Sequence, residues 1–246
     1  LKNFMWNPRY DKNDIMCASG LWPRFDRSIR PIFNKLSYKS IRKISQINNI
    51  REKRIVLFTL HKQPESSVDV LGRYYSNQSL IVKAFYDLLP TDVALLVKQH
   101  SLATGDHPKR FYEDIMGLGS NCYLVDDAVD SHSVFSDNRL QCVVTVSGTV
   151  ALEAGILGIK AFCFNNVFFE SDLVTKIDFE VFRKITSFSQ LLDYKSSDQR
   201  FSTVTEYILK NSFEANISDP SFNEEVLSEK NIIALTDAFM KAFKIA

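Results

Sequence analysis

Three stretches of this sequence combine residue types that can hold an anion or move a proton. The strongest runs from Val144 to Ala154 (VTVSGTVALEA). An apolar run ends at Val146 and helical spacing begins near Thr149. Ser147 is therefore expected near the N-cap, and Gly148 where a ligand can approach the backbone closely. Free amides and the dipole at a helix start favour a phosphate. Thr149 and Glu153 are four apart and share a face. The Thr149 hydroxyl can join the phosphate site, and the Glu153 carboxylate can accept hydrogen bonds from ribose or sugar hydroxyls. The plainer alternative is a capped helix with Glu153 in solvent.

Lys98 and His100 form the second group, one residue apart beyond an apolar run. A cation beside an imidazole suits a leaving phosphate: Lys98 would neutralise charge and His100 would donate a hydrogen bond or a proton. The third is the loop from His61 to Ser67 (HKQPESS), which Pro64 stiffens between Gln63 and Glu65. Glu65 could bind hydroxyls or act as a base, and Gln63 could bind the donor. A loop that merely caps the next helix is the alternative. His107 and His132 are read as incidental loop residues. Gly117-Leu118-Gly119 follows a helix rather than a strand, so it is no dinucleotide fingerprint, and no Walker-type phosphate loop occurs. The histidines and acids lack zinc-ligand spacing, so no metal is expected.

The elements that must position these groups follow from hydrophobic period. Buried strands are expected at Arg54–Leu60, Val93–Val97, Cys122–Val125, Cys142–Val146 and Lys160–Phe164. Helices are expected at 32–47, at Asn77–Leu89 with Leu80, Ile81, Ala84, Phe85 and Leu88 on one face, at Pro108–Met116 and at Thr149–Leu157. A short helix or turn is expected at 131–138. Residues 1–31, with Pro8, Pro23, Pro31 and the aromatics Trp6, Tyr10, Trp22 and Phe25, read as irregular. Beyond residue 170, helices are expected at 187–193, 199–210 and 227–244. Alternating strands and helices predict an α/β fold, a Rossmann-like parallel sheet with helices on both faces, plus C-terminal helices. Each strand hands over to polar residues at one edge of the sheet, where ligands bind in such folds.

Composition excludes several classes. With 246 residues, 45% hydrophobic and 24% charged, the chain is neither disordered nor collagen-like nor a coiled coil. No apolar stretch approaches the ~18 residues of a membrane span, and no signal peptide is visible. Cys17, Cys122, Cys142 and Cys163 form no CxxC pair, and they read as buried thiols of a reducing compartment. Net charge is +1, yet residues 1–54 hold 13 Lys/Arg against 4 Asp/Glu. Such a basic segment could meet an anionic surface, or be a solvated linker. It carries no recognised nucleic-acid motif, so no nucleic-acid partner is expected.

The stretch from Leu57 to Ser67, with Gly72, Tyr74, Tyr75, Asn77 and Gln78 after it, resembles the capsule polysaccharide biosynthesis protein family. So do Leu88-Leu89-Pro90, Val97 to His100, and Val146 to Ala154 with Gly158. Where the family usually has His-Pro and Gly-Lys-Pro, this chain has His100-Ser101 and Gly158-Ile159-Lys160. The resemblance implies one half of a GT-B fold: residues 54–175 as the nucleotide-sugar-binding domain and 176–246 as a helical segment packing on it. Residues 1–53 would be a linker and the remnant of an N-terminal Rossmann domain. It also implies transfer of a sugar from a nucleotide-activated donor (CMP-Kdo-like, or UDP-linked) to a glycan or glycolipid acceptor. No cofactor would be obligatory, and the protein would work in the cytoplasm or at the inner face of the membrane as a peripheral protein. Lys98, His100, Ser147, Gly148 and Thr149 would hold the donor phosphate, and Glu153 the nucleotide's sugar. A sugar-nucleotide epimerase of similar fold and a non-catalytic sugar-nucleotide or glycan-binding module are the rival readings.

Overall fold

The computed structural model describes residues 21–63, 65–167, 169–196, 212–217 and 223–243. Cys17, Pro64, the aromatics Trp6 and Tyr10 and the helix expected at 199–210 lie outside them. Contacts divide the chain into two compact units, Leu1–Arg200 and Phe201–Ala246.

The first unit is built on a six-stranded sheet: β1 Arg54–Thr59, β2 Val93–Lys98, β3 Cys122–Val125, β4 Leu140–Thr145, β5 Ala161–Cys163 and β6 Thr175–Lys176. All pairings are parallel, in the order β3-β2-β1-β4-β5-β6. Chain order reverses between β1 and β4. This is the switch point at which doubly wound sheets open a crevice beyond the strand ends. The sheet is covered on both sides. Val56, Phe58, Leu95, Val97 and Val144 share one core cluster, while their neighbours of opposite parity, Ile55, Leu57, Leu96 and Val143, are equally inaccessible. That is why each strand reads as a continuous apolar run rather than an alternating one.

The helices follow in order. They are α1 Leu21–Lys39, α2 Ser66–Asp69, α3 Gln78–Tyr86, α4 Lys109–Met116, α5 Ser131–Phe135, α6 Val150–Ile156, α7 Phe179–Phe182 and α8 Phe188–Asp193. Helix α3 starts at the Asn77 side chain, which accepts the Leu80 N–H. It buries Gln78, Ile81, Val82 and Phe85. Leu80, expected on that face, is exposed. Phe182, Phe188 and Leu191 from α7 and α8 enter the same core as β1 and β4.

Two sequence expectations fail near the N-terminus. The helix expected at 32–47 instead spans Leu21–Lys39, and residues 21–31, expected to be irregular, lie within it. Pro31 sits in its interior, where it forfeits one backbone hydrogen bond. Its carbonyl packs against Gly105, where a Cβ would come within 2.6 Å and where φ is +102°. Only glycine serves there. After α1 the chain extends: the Ile44 N–H donates to the Leu124 carbonyl and the Ile44 carbonyl accepts the Asp126 N–H, each at 2.9 Å. This single bridge covers the β3 edge.

In the second unit a 3-10 turn, Glu224–Leu227, leads into α9, Glu229–Phe243. The Asn231 side chain accepts the Asn216 N–H and donates to the carbonyls of Asn216 and Val226.

Candidate functional site

A cleft of about 340 Å³ opens at the switch point. Thr59, His61, Glu65 and Ser67 line it from the end of β1 and from α2. Lys98 and His100 come from the end of β2, and Ser131 from α5. Thr145, Ser147, Gly148, Thr149 and Glu153 come from β4 and α6. Seven of the eight site residues expected from the sequence therefore share one cavity.

The eighth, Gln63, is placed elsewhere. Its amide nitrogen donates to Asp69 at 2.8 Å and to the Ser76 carbonyl at 2.9 Å, and its amide oxygen accepts from Gln78. It ties the β1–α2 loop to the start of α3, and both ends of its amide are already in use.

The cleft's organising residue is His61, which is 6% exposed. Its Nε2 accepts the Ser147 N–H at 3.0 Å and lies 3.0 Å from the Thr145 hydroxyl. A backbone N–H can only donate, so Nε2 carries a lone pair and the neutral ring bears its proton on Nδ1. The Glu65 carboxylate lies 3.8 Å from that nitrogen. Burial holds the imidazole pKa below its ordinary value, against the opposing pull of Glu65. The fully buried Gln78 fixes the backbone, accepting the His61 N–H at 2.7 Å. The Gly148 N–H donates to Thr145 Oγ1 at 3.2 Å.

These bonds revise the sequence reading of the β4–α6 turn. Two amides expected to be free for a phosphate, Ser147 and Gly148, are consumed within the protein. Helix α6 has only seven residues, and Ser147 does not cap it; Thr149 holds the cap position and makes no side-chain cap bond. Gly148 is required by the protein itself, because a Cβ there would lie 2.9 Å from Thr145 Oγ1. What Ser147 offers the cleft is its hydroxyl.

That hydroxyl belongs to a set. The side-chain oxygens of Thr59, Ser67 and Ser147 are buried, and among the described residues none has a hydrogen-bond partner. All three residues line the cleft. Orphaned buried hydroxyls cost stability unless something bonds them. Lys98 sharpens the point. It is 8% exposed, and among the described residues no carboxylate or carbonyl pairs with its ammonium. The ammonium itself is not among the buried unpartnered side-chain atoms, so the charge still reaches solvent at the cleft. Together these donors suit an anion with several acceptor oxygens.

His100 is exposed at the rim. Its Nδ1 accepts the Leu102 N–H at 3.1 Å, so the neutral ring turns a protonated Nε2 outward. Glu153 is half-exposed, 3.8 Å from His132 Nε2. His132, read as incidental, is thus the neighbour that faces Glu153. His107 is stacked on Phe111 with ring centroids 4.0 Å apart. Among the described residues, no group of three or more His, Cys, Asp or Glu is arranged to hold a metal, and no helix is long and apolar enough to cross a membrane.

No protein-family model matches the chain, and no curated protein sequence matches it. Among solved structures it is similar to a protein assigned as a UDP-N-acetylglucosamine 2-epimerase of Listeria monocytogenes, with a TM-score of 0.37 and 16% identity. That match covers 64% of this chain and 40% of the other. It is also similar to KpsC of Thermosulfurimonas dismutans, a β-Kdo 2,4 transferase, with a TM-score of 0.39 and 15% identity over 71% of this chain and 55% of that one. The chain therefore matches about half or less of the length of these structures. At such scores the likeness bears on no site or reaction.

Proposed function

We propose that the cleft binds the phosphate of a nucleotide-activated sugar, and that this chain is the donor-binding part of a glycosyltransferase of the capsule polysaccharide type. The sugar would pass from a CMP-Kdo-like or UDP-linked donor to a glycan or glycolipid acceptor. One observation carries the reading: Lys98 lines the cleft at the end of β2 with no ion pair among the described residues, beside three hydroxyls that have no partner there. A phosphate supplies both the charge and the acceptor oxygens that suit these donors.

In this reading Lys98 stabilises the charge that builds on the leaving phosphate, and the hydroxyls of Thr59, Ser67 and Ser147 donate to its oxygens. His100 Nε2 sits at the rim to donate a hydrogen bond or proton to the departing group. Glu153, together with Thr149, meets the hydroxyls of the nucleotide's ribose or of the sugar. Glu65 is the candidate base for the incoming hydroxyl, since its carboxylate already lines the cleft. Gln63 has no role in this account.

The test is thermal stabilisation by a panel of CMP-, UDP- and GDP-sugars. A bound donor at 100 times its dissociation constant stabilises the fold by about 2.7 kcal/mol, readily detected. Product analysis with and without a glycan acceptor then separates transfer from epimerisation. Epimerised sugar formed without acceptor would replace this reading, and a panel in which no member raises the melting temperature would end it.

A further inference from the structure

Helix α1 is amphipathic, and it meets its own domain through the wrong face for an ordinary surface helix. Such helices bury an apolar stripe and show polar residues to water. Among the described side chains of α1, Asn34 and Tyr38, one turn apart, hydrogen-bond to the sheet domain, and Pro31 and Lys35 pack on Gly105 beside them. The Asn34 side chain donates to the Gly105 carbonyl at 3.0 Å. Tyr38 is 1% exposed, packs against Tyr112 with ring centroids 4.8 Å apart, and donates its O–H to Asp127. Ile32, Phe33 and Leu36 lie on the far side of the helix, 59%, 64% and 60% exposed.

From Ile29 onward the charge around that stripe is of one sign. Residues 29–51 contain Arg30, Lys35, Lys39, Arg42, Lys43 and Arg51 and no Asp or Glu. At 100° per residue, Lys35 and Lys39 flank the apolar stripe on one side and Arg30 on the other. Long basic side chains beside an apolar stripe can reach outward while their stems stay in apolar surroundings. Three side chains fall well short of the roughly 800 Å² per partner that a stable protein interface buries. They suit a fluid apolar medium, and the one-signed charge calls for an anionic boundary.

We propose that α1 lies on the surface of an anionic phospholipid bilayer, with Ile32, Phe33 and Leu36 inserted at the headgroup boundary and Lys35 and Lys39 reaching the phosphates. The helix does not cross the bilayer. The anchoring through Asn34 and Tyr38 keeps the sheet domain fixed to the docked helix, so the cleft is held at the membrane surface. The inference stands independently of the nucleotide-sugar reading of the cleft.

The experiment is co-sedimentation of the full chain with vesicles of pure phosphatidylcholine and of phosphatidylcholine with about one-third phosphatidylglycerol. Binding is expected only to the anionic vesicles, and it weakens as salt rises. Lys35→Gln and Lys39→Gln each lower the partition coefficient about fivefold. The double variant Phe33→Ser with Leu36→Ser lowers it about tenfold or more. Since those two side chains are exposed, its melting temperature stays within the wild-type range, and a melt on the same sample checks this. Equal binding to both vesicle types, binding to neither, or unchanged binding of the Phe33/Leu36 variant overturns the proposal. Sedimentation equilibrium showing a dimer that the same variant disperses overturns it in favour of a second copy on α1.

Discussion

The Ser147 N–H donates to Nε2 of His61 across 86 residues of sequence, at 3.0 Å. The bond joins the end of β1 to the turn after β4, the two strands on either side of the switch point. It holds the Ser147 hydroxyl in the cleft, and it occupies the imidazole lone pair that a catalytic base would need. His61 is therefore a positioning residue. His61→Ala leaves the Ser147 N–H without its acceptor and opens a small void. The expected cost is about 1–3 kcal/mol in chemical denaturation, with weaker nucleotide binding. A His61→Ala protein with unchanged stability and affinity would remove this role.

Stability should fall between pH 7 and pH 5. Burial holds His61 below its ordinary pKa, and it pushes His107 down to about 4. The unfolded chain takes up protons from about pH 6.5 downward while the native imidazoles stay neutral. Stability is therefore full above pH 7 and is lost as pH falls toward the folded pKa. His107 alone accounts for about 2 kcal/mol by pH 5. Urea denaturation of wild type and His107→Phe at both pH values checks this. The variant should lose less stability over the same interval, and an identical loss would clear His107.

Three thiols should be inert in the native protein. Cys122, Cys142 and Cys163 are buried. Burial raises the pKa of all three, of Cys122 and Cys163 to about 12. Thiolate is the reactive form. Iodoacetamide at neutral pH should leave these three unmodified until denaturant is added, as peptide mass spectrometry would show. Labelling of any of them under native conditions would contradict the strand packing.

Gly148→Ala should damage the cleft more than the fold. The added Cβ would lie 2.9 Å from Thr145 Oγ1, the acceptor of the Gly148 N–H. The turn must shift, and overpacking of this kind costs about 1–3 kcal/mol. Nucleotide affinity should fall further than stability does, because Ser147 moves with the turn. Equal affinity in calorimetry would show that the turn's position does not matter.

The sheet was legible because β1 to β5 are largely buried on both faces and so appear as short apolar runs. Cys122–Val125 is found with its expected bounds; β1 and β2 shift by one residue at one end, and β4 and β5 by one or two at both. Strand β6 was not legible, since Thr175–Lys176 has no apolar run and exists only by pairing with Phe162 and Cys163. Helix α1 was misplaced because Pro23 and Pro31 look like breakers. One is tolerated in a first turn, and the other packs on Gly105. In the cleft, residue types after the strands pointed to the right neighbourhood. The bonds that decide their roles did not show: those of His61 to Ser147, of Gln63 to Asp69, and the lack of an ion pair at Lys98 among the described residues. Each depends on partners that the fold selects, and local spacing carries no record of them.

Lys98 decides the central claim. As a cation lining the cleft without a partner among the described residues, it should bind the phosphate. Calorimetric titration of CMP and of UDP into wild type and Lys98→Met tests this, with a melt of each protein beforehand. The account predicts saturable binding of at least one nucleotide to wild type. It predicts about 10–100-fold weaker binding to Lys98→Met. A Lys98→Met protein that binds as tightly as wild type, or a wild type that binds neither nucleotide, would contradict it.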